Sequence, residues 1–361
     1  MKKILLDDEI FTLQDRYGGI SRLYADYINY FKKDKEIKFY LPFILSNNVH
    51  LNKTLFKKNE FLPNIKTNLI KTKMIKIINN FFLKKFIMNN NYDCLHLTYM
   101  NKNIINLNNR PLITTIHDLI PEIKKKFFSN INYFINLKYF LINKSSKIIT
   151  VSNTSKKDML NFYKVAEKKI KVIYPTLFNY QLRKKEIFIP KNFLLYVGHR
   201  NGYKNFKVLL KSFVNIHKKY DLYLICVGGE ILTNFEKKQL SDLKVTDKII
   251  FVSLTDEELN YCYSKALCFI YPSLYEGFGK TILEAAINNC ITICSDIPAF
   301  KETAGDSVLY FNPNNSDQLQ HSIINIIEGK IENLRNKMYK NLKRFSYIKS
   351  KNKLKDIYLN I

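Results

Sequence analysis

Short apolar runs recur along the chain between longer, amphipathic stretches. KILLDD, IKFYLPF, DCLHLTY, LITTIHD, KIITVS and IKVIYP carry the rhythm through the first half, and FLLYVG, LYLICVGG, IIFVS, LCFIYPS, ITICSD and SVLYF through the second. Runs that stay apolar, rather than alternating with polar residues, predict strands buried on both faces. Strands alternating with helical segments predict parallel sheets covered on both sides. The expected fold class is α/β, with two Rossmann-like doubly wound domains.

The halves meet in YPTLFNYQLRKKEIFIPKN, residues 174–192, where Pro175 and Pro190 bracket a basic, weakly periodic stretch. This predicts an N-terminal domain over 1–178 and a C-terminal domain over 190–340, with a hinge that lets them close over a cleft. Residues 341–361, ending in FSYIKSKNKLKDIYLNI, predict a terminal helix expected to pack back on the first domain.

Composition narrows the class. A chain of 361 residues, 46% of them hydrophobic, can fill two cores. No apolar stretch reaches the roughly eighteen residues of a transmembrane helix, and the start, MKKILLDDEIFTLQD, turns acidic before a signal peptide is complete, so a cytoplasmic protein is expected. The six cysteines, at 94, 226, 262, 268, 290 and 294, lie mostly in apolar runs and form no CxxC pair, which predicts buried, reduced thiols.

The formal charge of +27 allows nucleic acid, an anionic membrane or anionic substrates as partners. Lysine, asparagine and isoleucine dominate, with 10 Gly, 9 Pro and no Trp, so part of the charge reads as solvated lysine. No zinc finger or aromatic-interleaved motif points to RNA or DNA, and no nucleic-acid partner is expected. KTKMIKIINNFFLKKFIMNN, residues 71–90, has two readings. It is a basic amphipathic helix lying on anionic lipid at the inner face of the cell membrane, or its apolar face packs on the first sheet, which is the favoured reading.

In α/β sheets ligands bind beyond the carboxyl ends of the strands. After LCFIYPS comes LYEGFGKTILEA, in which Gly277 and Gly279 allow a tight turn and a close backbone approach before a helix begins. Amides at such a start suit phosphate or sugar oxygens, and Glu276 and Glu284 can accept hydrogen bonds from vicinal hydroxyls. The bland alternative makes Glu276 a helper of the helix start and leaves Glu284 facing solvent. After YVG, HRNGYKNF supplies Arg200 and Lys204 around a glycine, a planar fork and a point charge that suit a diphosphate. His117 and Asp118 follow LITTI, and Gly18 and Gly19 precede a helix in YGGISRLY. A lone histidine is more often structural, and two glycines alone are an ordinary turn.

Together these segments resemble the family-4 retaining glycosyltransferases of GT-B fold. The most specific element is E-x7-E in EGFGKTILE, within YPSLYEGFGKTILEA and followed by SDIPAFKETAGDSVLYFNP; YGGISRLY, TTIHDLIPE, ITVSNTSKKD, YVGHRNGYKNF and SLTDEEL agree in order and spacing. The resemblance implies that Glu284 holds ribose hydroxyls and Glu276 donor-sugar hydroxyls, helped by the amides of Phe278 and Gly279. It implies that Arg200 and Lys204 neutralise a departing diphosphate and that His117 contacts the donor sugar near the reacting carbon. Gly18 and Gly19 border the phosphates or acceptor, and Gly198, Lys280 and Thr281 complete the donor-binding set.

No metal and no cofactor are implied, the nucleotide-sugar being the donor substrate. HDLIPE and YVGHR-x-GYKNF look most like the mannosyltransferase branch. GDP-mannose is then the leading donor, UDP- and dTDP-sugars remain open, and the acceptor is a glycan or polyprenyl-lipid-linked glycan of surface polysaccharide or lipopolysaccharide biosynthesis. The rival readings are a non-catalytic sugar-nucleotide-binding protein of the same fold and a basic nucleic-acid-binding protein.

Three departures stand out. INNCITI replaces the family's ACGTPVI and puts Asn289 at the glycine position, where asparagine is expected to preserve a left-handed cap. Ser253 stands where a glycine precedes the base-contacting loop. GHRNGYKN is shorter than the usual phosphate loop, which makes Lys204 the firmer carry-over than Arg200.

Overall fold

The structure of the protein, a computed structural model, describes residues 1–14, 16–62, 69–89, 91–177, 184–200, 202–229, 231–331 and 333–361. Residues 178–183, inside the expected hinge, lie outside the described residues.

Each of the twelve apolar runs forms a strand. In the first half these are β1 (Lys2–Leu6), β2 (Ile37–Tyr40), β3 (Cys94–Leu97), β4 (Leu112–Ile116), β5 (Lys147–Thr150) and β6 (Ile170–Val172). In the second they are β7 (Phe193–Val197), β8 (Tyr223–Val227), β9 (Ile249–Val252), β10 (Cys268–Tyr271), β11 (Thr292–Ser295) and β12 (Leu309–Phe311). They make two parallel sheets, ordered β2-β1-β3-β4-β5-β6 and β12-β11-β10-β7-β8-β9. The chain divides into two compact units, Met1–Phe178 with Tyr347–Ile361, and Asn179–Ser346.

Burial on both faces explains the unbroken apolar runs. In β7, Leu194 and Tyr196 enter one cluster with Leu209 and Phe213 of the helix Phe206–Ile216. Phe193 and Leu195 enter the opposite cluster with Ile282 and Ala285 of the helix Lys280–Ile287. All six cysteines are buried and unpaired.

The order of each sheet reverses once, between β1 and β3 in the first and between β7 and β10 in the second. At such a reversal the connections leave on opposite faces and open a crevice at the carboxyl ends. The fold therefore points to four loops.

Two segments bear on the expectations for the helices. The helix Leu69–Met88 buries Ile75, Leu83 and Ile87, the last two in the first sheet's core, yet leaves Ile70, Ile77 and Phe81 exposed at 72%, 63% and 65%. Its apolar residues wrap too far round the axis for one contact to cover. Residue 90, the last of the expected segment, lies outside the described residues. The helix Tyr347–Leu359 belongs to the first unit, where Tyr358 is buried and its hydroxyl lies 2.8 Å from Nδ1 of His96. No helix among the described residues is long and apolar enough to cross a membrane.

The helix Lys280–Ile287 ends on Asn289, whose φ is +59°. The Cys290 N–H reaches the Ala285 carbonyl at 2.9 Å and the Asn289 N–H the Ala286 carbonyl at 3.0 Å, the paired bonds of a Schellman cap. Asparagine therefore does the work of the missing glycine. Asn289→Gly should keep full stability, whereas Asn289→Ala should cost about 1 kcal/mol because a Cβ without a polar group disfavours this backbone region. Urea unfolding of the two variants checks this, and equal midpoints for alanine and wild type would refute the capping role.

Candidate active site

At the reversal of the second sheet, the loops after β7 and β10 are stitched together. The Leu274 N–H donates to the Tyr203 carbonyl at 2.7 Å, and Asn205 Nδ2 donates to the Pro272 carbonyl at 3.1 Å. Between them Lys204 Nζ meets Glu276 Oε1 at 2.7 Å, and the same oxygen accepts from Ser273 Oγ at 2.7 Å. Burial works against the charge on Lys204, but the Glu276 carboxylate outweighs it, so the ammonium is held above its usual pKa.

The turn that follows has a steric reason for its glycine. Gly279 has φ +103°, and a Cβ there would meet the Phe300 ring at 3.0 Å. The Phe278 carbonyl accepts from Thr303 Oγ1 at 2.6 Å, which fixes the turn from below. Lys280 and Thr281 open the helix, and Glu284 lies one turn further on. Glu284 is buried, not solvent-facing as the bland reading had it. The Tyr271 phenol titrates well above its usual range, first through burial, then through the negative charge of Glu276, with Glu284 contributing as well. Both carboxylates of the E-x7-E motif therefore act electrostatically on one buried ring.

Arg200 takes a different partner. Gly198, with φ +132°, ends β7 and donates its N–H to the Val227 carbonyl at 2.9 Å. Arg200 Nε then pairs with Glu236 at 2.9 Å, and its guanidinium stacks 5.0 Å from the Phe251 ring. Burial pushes the Glu236 carboxyl up, but the bonds from Arg200 and Thr233 overcome this and hold it below its ordinary value. A Cβ on Gly229 would come within 2.9 Å of Arg200 Nη1, so this second glycine after β8 gives the guanidinium room. Arg200, Gly228, Gly229, Lys237, Phe251 and Ser253 line a pocket of about 330 Å³. Sequence reading missed Glu236 and the two glycines as neighbours of Arg200. The signals were present in the capping pattern TNFE and in the glycine pair closing LYLICVGG.

In the first unit the reversal brings together Asp7, just after β1, and Thr98, just after β3. Asp7 Oδ1 accepts from the Thr98 N–H and Oγ1, each at 2.6 Å, while Oδ2 is buried without a partner among the described residues. Burial pushes the Asp7 carboxyl up to about 7. His117 follows β4 directly. Burial lowers its pKa to about 4, so at neutral pH the imidazole carries no charge, and its buried Nε2 has no partner among the described residues. Tyr99 stacks on the ring at 6.3 Å and Tyr24 meets it edge-on at 6.2 Å.

Gly18 is extended, and the space where its Cβ would be is taken by the end of the flexible Gln14 side chain, whose Oε1 accepts from the Ser21 N–H at 2.8 Å. Gly19, the first helical residue, has open space where its Cβ would be. No group of three His, Cys, Asp or Glu side chains suited to a metal ion occurs among the described residues.

Comparison with known proteins agrees with this architecture. Residues 179–345 match the family described as glycosyl transferases group 1, and residues 59–177 match glycosyltransferase family 4. The O-antigen chain mannosyltransferase RfbU of Salmonella typhimurium is 32% identical over 214 residues, which are 59% of this chain and 60% of that protein. The O-antigen chain mannosyltransferase B of Escherichia coli is 25% identical over 243 residues, 60% of this chain and 61% of that one. The chain thus spans about three fifths of the length of these relatives.

The Anabaena protein HepE, solved with UDP and glucose, superposes over the full length of both chains with a TM-score of 0.75 at 16% identity. Sucrose-phosphate synthase of Thermosynechococcus elongatus gives 0.77 at 16% identity, over 100% of this chain and 99% of that one. Two adjoining family matches that run through both units, on two parallel six-stranded sheets with GT-B structural neighbours, place the chain in glycosyltransferase family 4, the glycosyl transferases of group 1.

Proposed function

We propose that the chain transfers a hexose from a nucleotide-sugar to a glycan or polyprenyl-lipid-linked acceptor in surface polysaccharide or lipopolysaccharide biosynthesis, with retention and without a metal. The leading donor is GDP-mannose, in keeping with the mannosyltransferases that the chain resembles in sequence. The observation that carries the reading is the Lys204–Glu276 pair at the strand-order reversal, followed by the helix Lys280–Ile287 in which Glu284 is buried.

The chemistry suits that arrangement. Cleaving a glycosyl phosphate builds negative charge on the leaving diphosphate, and a preorganised ammonium beside helix-start amides stabilises it. Glu276 orients the donor sugar through its hydroxyls, Glu284 the ribose, and neutral His117 accepts a hydrogen bond from the sugar near the reacting carbon. Arg200, turned toward Glu236 and Phe251, is assigned to the nucleotide side of the donor. Attack on the front face then lets the leaving phosphate take the acceptor proton. Two glutamates do not here form the acid–base couple of a hydrolase.

A membrane surface is the second element of the proposal. The helix Leu69–Met88 has five lysines and no acid, and exposes Lys73, Lys84 and Lys85 beside the stripe Ile70, Met74, Ile77 and Phe81. An apolar stripe flanked by cations suits an anionic bilayer, which would bring the enzyme to a lipid-linked acceptor.

Three outcomes are expected. In a thermal-shift panel of GDP, UDP, dTDP and CMP, GDP should stabilise most, a ligand at about 100 times its Kd adding roughly 2.7 kcal/mol. A shift with UDP alone would overturn the donor assignment, and none with any nucleotide would favour a different function for the fold. Lys204→Ala should lower kcat by about 10² to 10³, while Glu284→Gln should mainly raise donor KM by about tenfold. Unchanged kinetics in both would remove the site assignment. In liposome flotation, binding should require anionic lipid and be lost in Ile77→Glu/Phe81→Glu, and equal recovery on neutral vesicles would reject the membrane role.

A further inference from the structure

His117 lies one residue past the end of β4. On one side it is held by the sheet, where Ile116 pairs with Thr150 of β5. On the other begins the turn of HDLIPE, residues 117–122, whose glutamate has no part in the site described above. Asp118 Oδ1 accepts from the Ile120 N–H at 3.0 Å, and the Asp118 carbonyl accepts from Lys138 Nζ at 2.9 Å.

Lys138 comes from the helix Ile131–Lys144, which leads into β5. Its ammonium also lies 2.8 Å from Oε1 and 2.9 Å from Oε2 of Glu122, and the Tyr163 hydroxyl donates to Oε1 at 2.5 Å. Tyr163 closes the helix Asn153–Phe162, which follows β5. The turn after β4 is therefore anchored to the helices before and after the neighbouring strand.

Such an anchor is expensive. The Lys138 and Glu122 side chains are closed off from water, at 6% and 2% exposure, and two apolar residues of similar size would fill the space without the desolvation cost. What an apolar pair lacks is a donor for the Asp118 carbonyl. An ammonium has three protons to give, so after the carboxylate has been met one remains for the backbone beside His117. A fixed carbonyl fixes the planar peptide that follows Asp118, and with the β4–β5 ladder on the other side it leaves the His117 backbone little freedom.

We propose that Lys138 is a positioning residue for His117: oriented by Glu122 and Tyr163, it holds the Asp118 carbonyl and so sets where the imidazole stands at the end of β4. The assignment rests on the role given to His117 above.

Two variants separate positioning from stability. Lys138→Met leaves a carboxylate buried without its cation, whereas Lys138→Met/Glu122→Gln removes both charges, keeps an acceptor for Tyr163 and still lacks the donor to Asp118. Melting temperature, GDP binding, backbone hydrogen exchange and GDP release from GDP-mannose, with a membrane extract supplying acceptor, would be measured for each, alone and with His117→Ala. The double variant should regain most of the melting temperature lost in Lys138→Met, bind GDP as the wild type does and exchange faster over residues 117–120. Its kcat should stay about tenfold low, because a displaced group loses rate without losing the nucleotide. In the His117→Ala background the same two changes should cost less than about twofold.

A double variant that recovered rate together with melting temperature would make the pair purely structural and overturn the proposal. Unchanged exchange over residues 117–120 would do the same without any need for turnover, as would losses that multiply in full with His117→Ala. An unimpaired His117→Ala would instead remove the reading of His117 on which the positioning rests. Should Lys138→Met fail to fold, the double variant is compared with the wild type directly.

Discussion

The second unit's site depends on one ion pair, Lys204 with Glu276, whose carboxylate is buried and whose ammonium is half-buried. Either charge left there without the other would keep part of its lost hydration uncompensated, so the pair ties the two loops to one another. The partners lie 72 residues apart in sequence and meet because β10 runs beside β7, where the sheet changes direction. The Leu274–Tyr203 and Asn205–Pro272 bonds then remove the remaining freedom. Fold and chemistry are linked at this one point, since the pair exists only if the strand order is right.

The first unit uses the same geometry with different chemistry. Its reversal, between β1 and β3, is closed by the hydrogen bonds from Thr98 to Asp7 rather than by an ion pair. The group it presents is an imidazole that burial keeps neutral, where the other unit presents an ammonium kept charged by its neighbour. One unit thus holds a neutral acceptor or donor group at its reversal and the other a charged pair.

The strands were legible because a strand buried on both faces must be apolar at every position, which a single sequence displays directly. Asn289 was legible for a similar reason, its tolerance of positive φ being a property of the side chain itself. Lateral order was not: nothing in YVGHRNGYKNF or EGFGKTILEA says that their strands are neighbours, so the Lys204–Glu276 contact stayed hidden although both residues were singled out. Arg200 shows the complementary limit. Its direction was set by Glu236, on a helix after a different strand, and by the room left at Gly229, and neither is local to its own loop. The segment 71–90 divided between two readings because its apolar residues cover more than one face, and the structure buries one while leaving the other exposed.

The return of Tyr347–Leu359 to the first unit has a consequence for biosynthesis. The second unit is an insertion between two parts of the first, so on the ribosome it is made whole before the first has all its residues. His96, at the centre of the first sheet, meets the hydroxyl of Tyr358 only after another 262 residues have been added. Domains fold as units when their sequence becomes available. The half that carries Lys204 and Glu276 can therefore close around its ion pair while the half that carries His117 still lacks its last helix, which makes the order of synthesis the reverse of the order of completion.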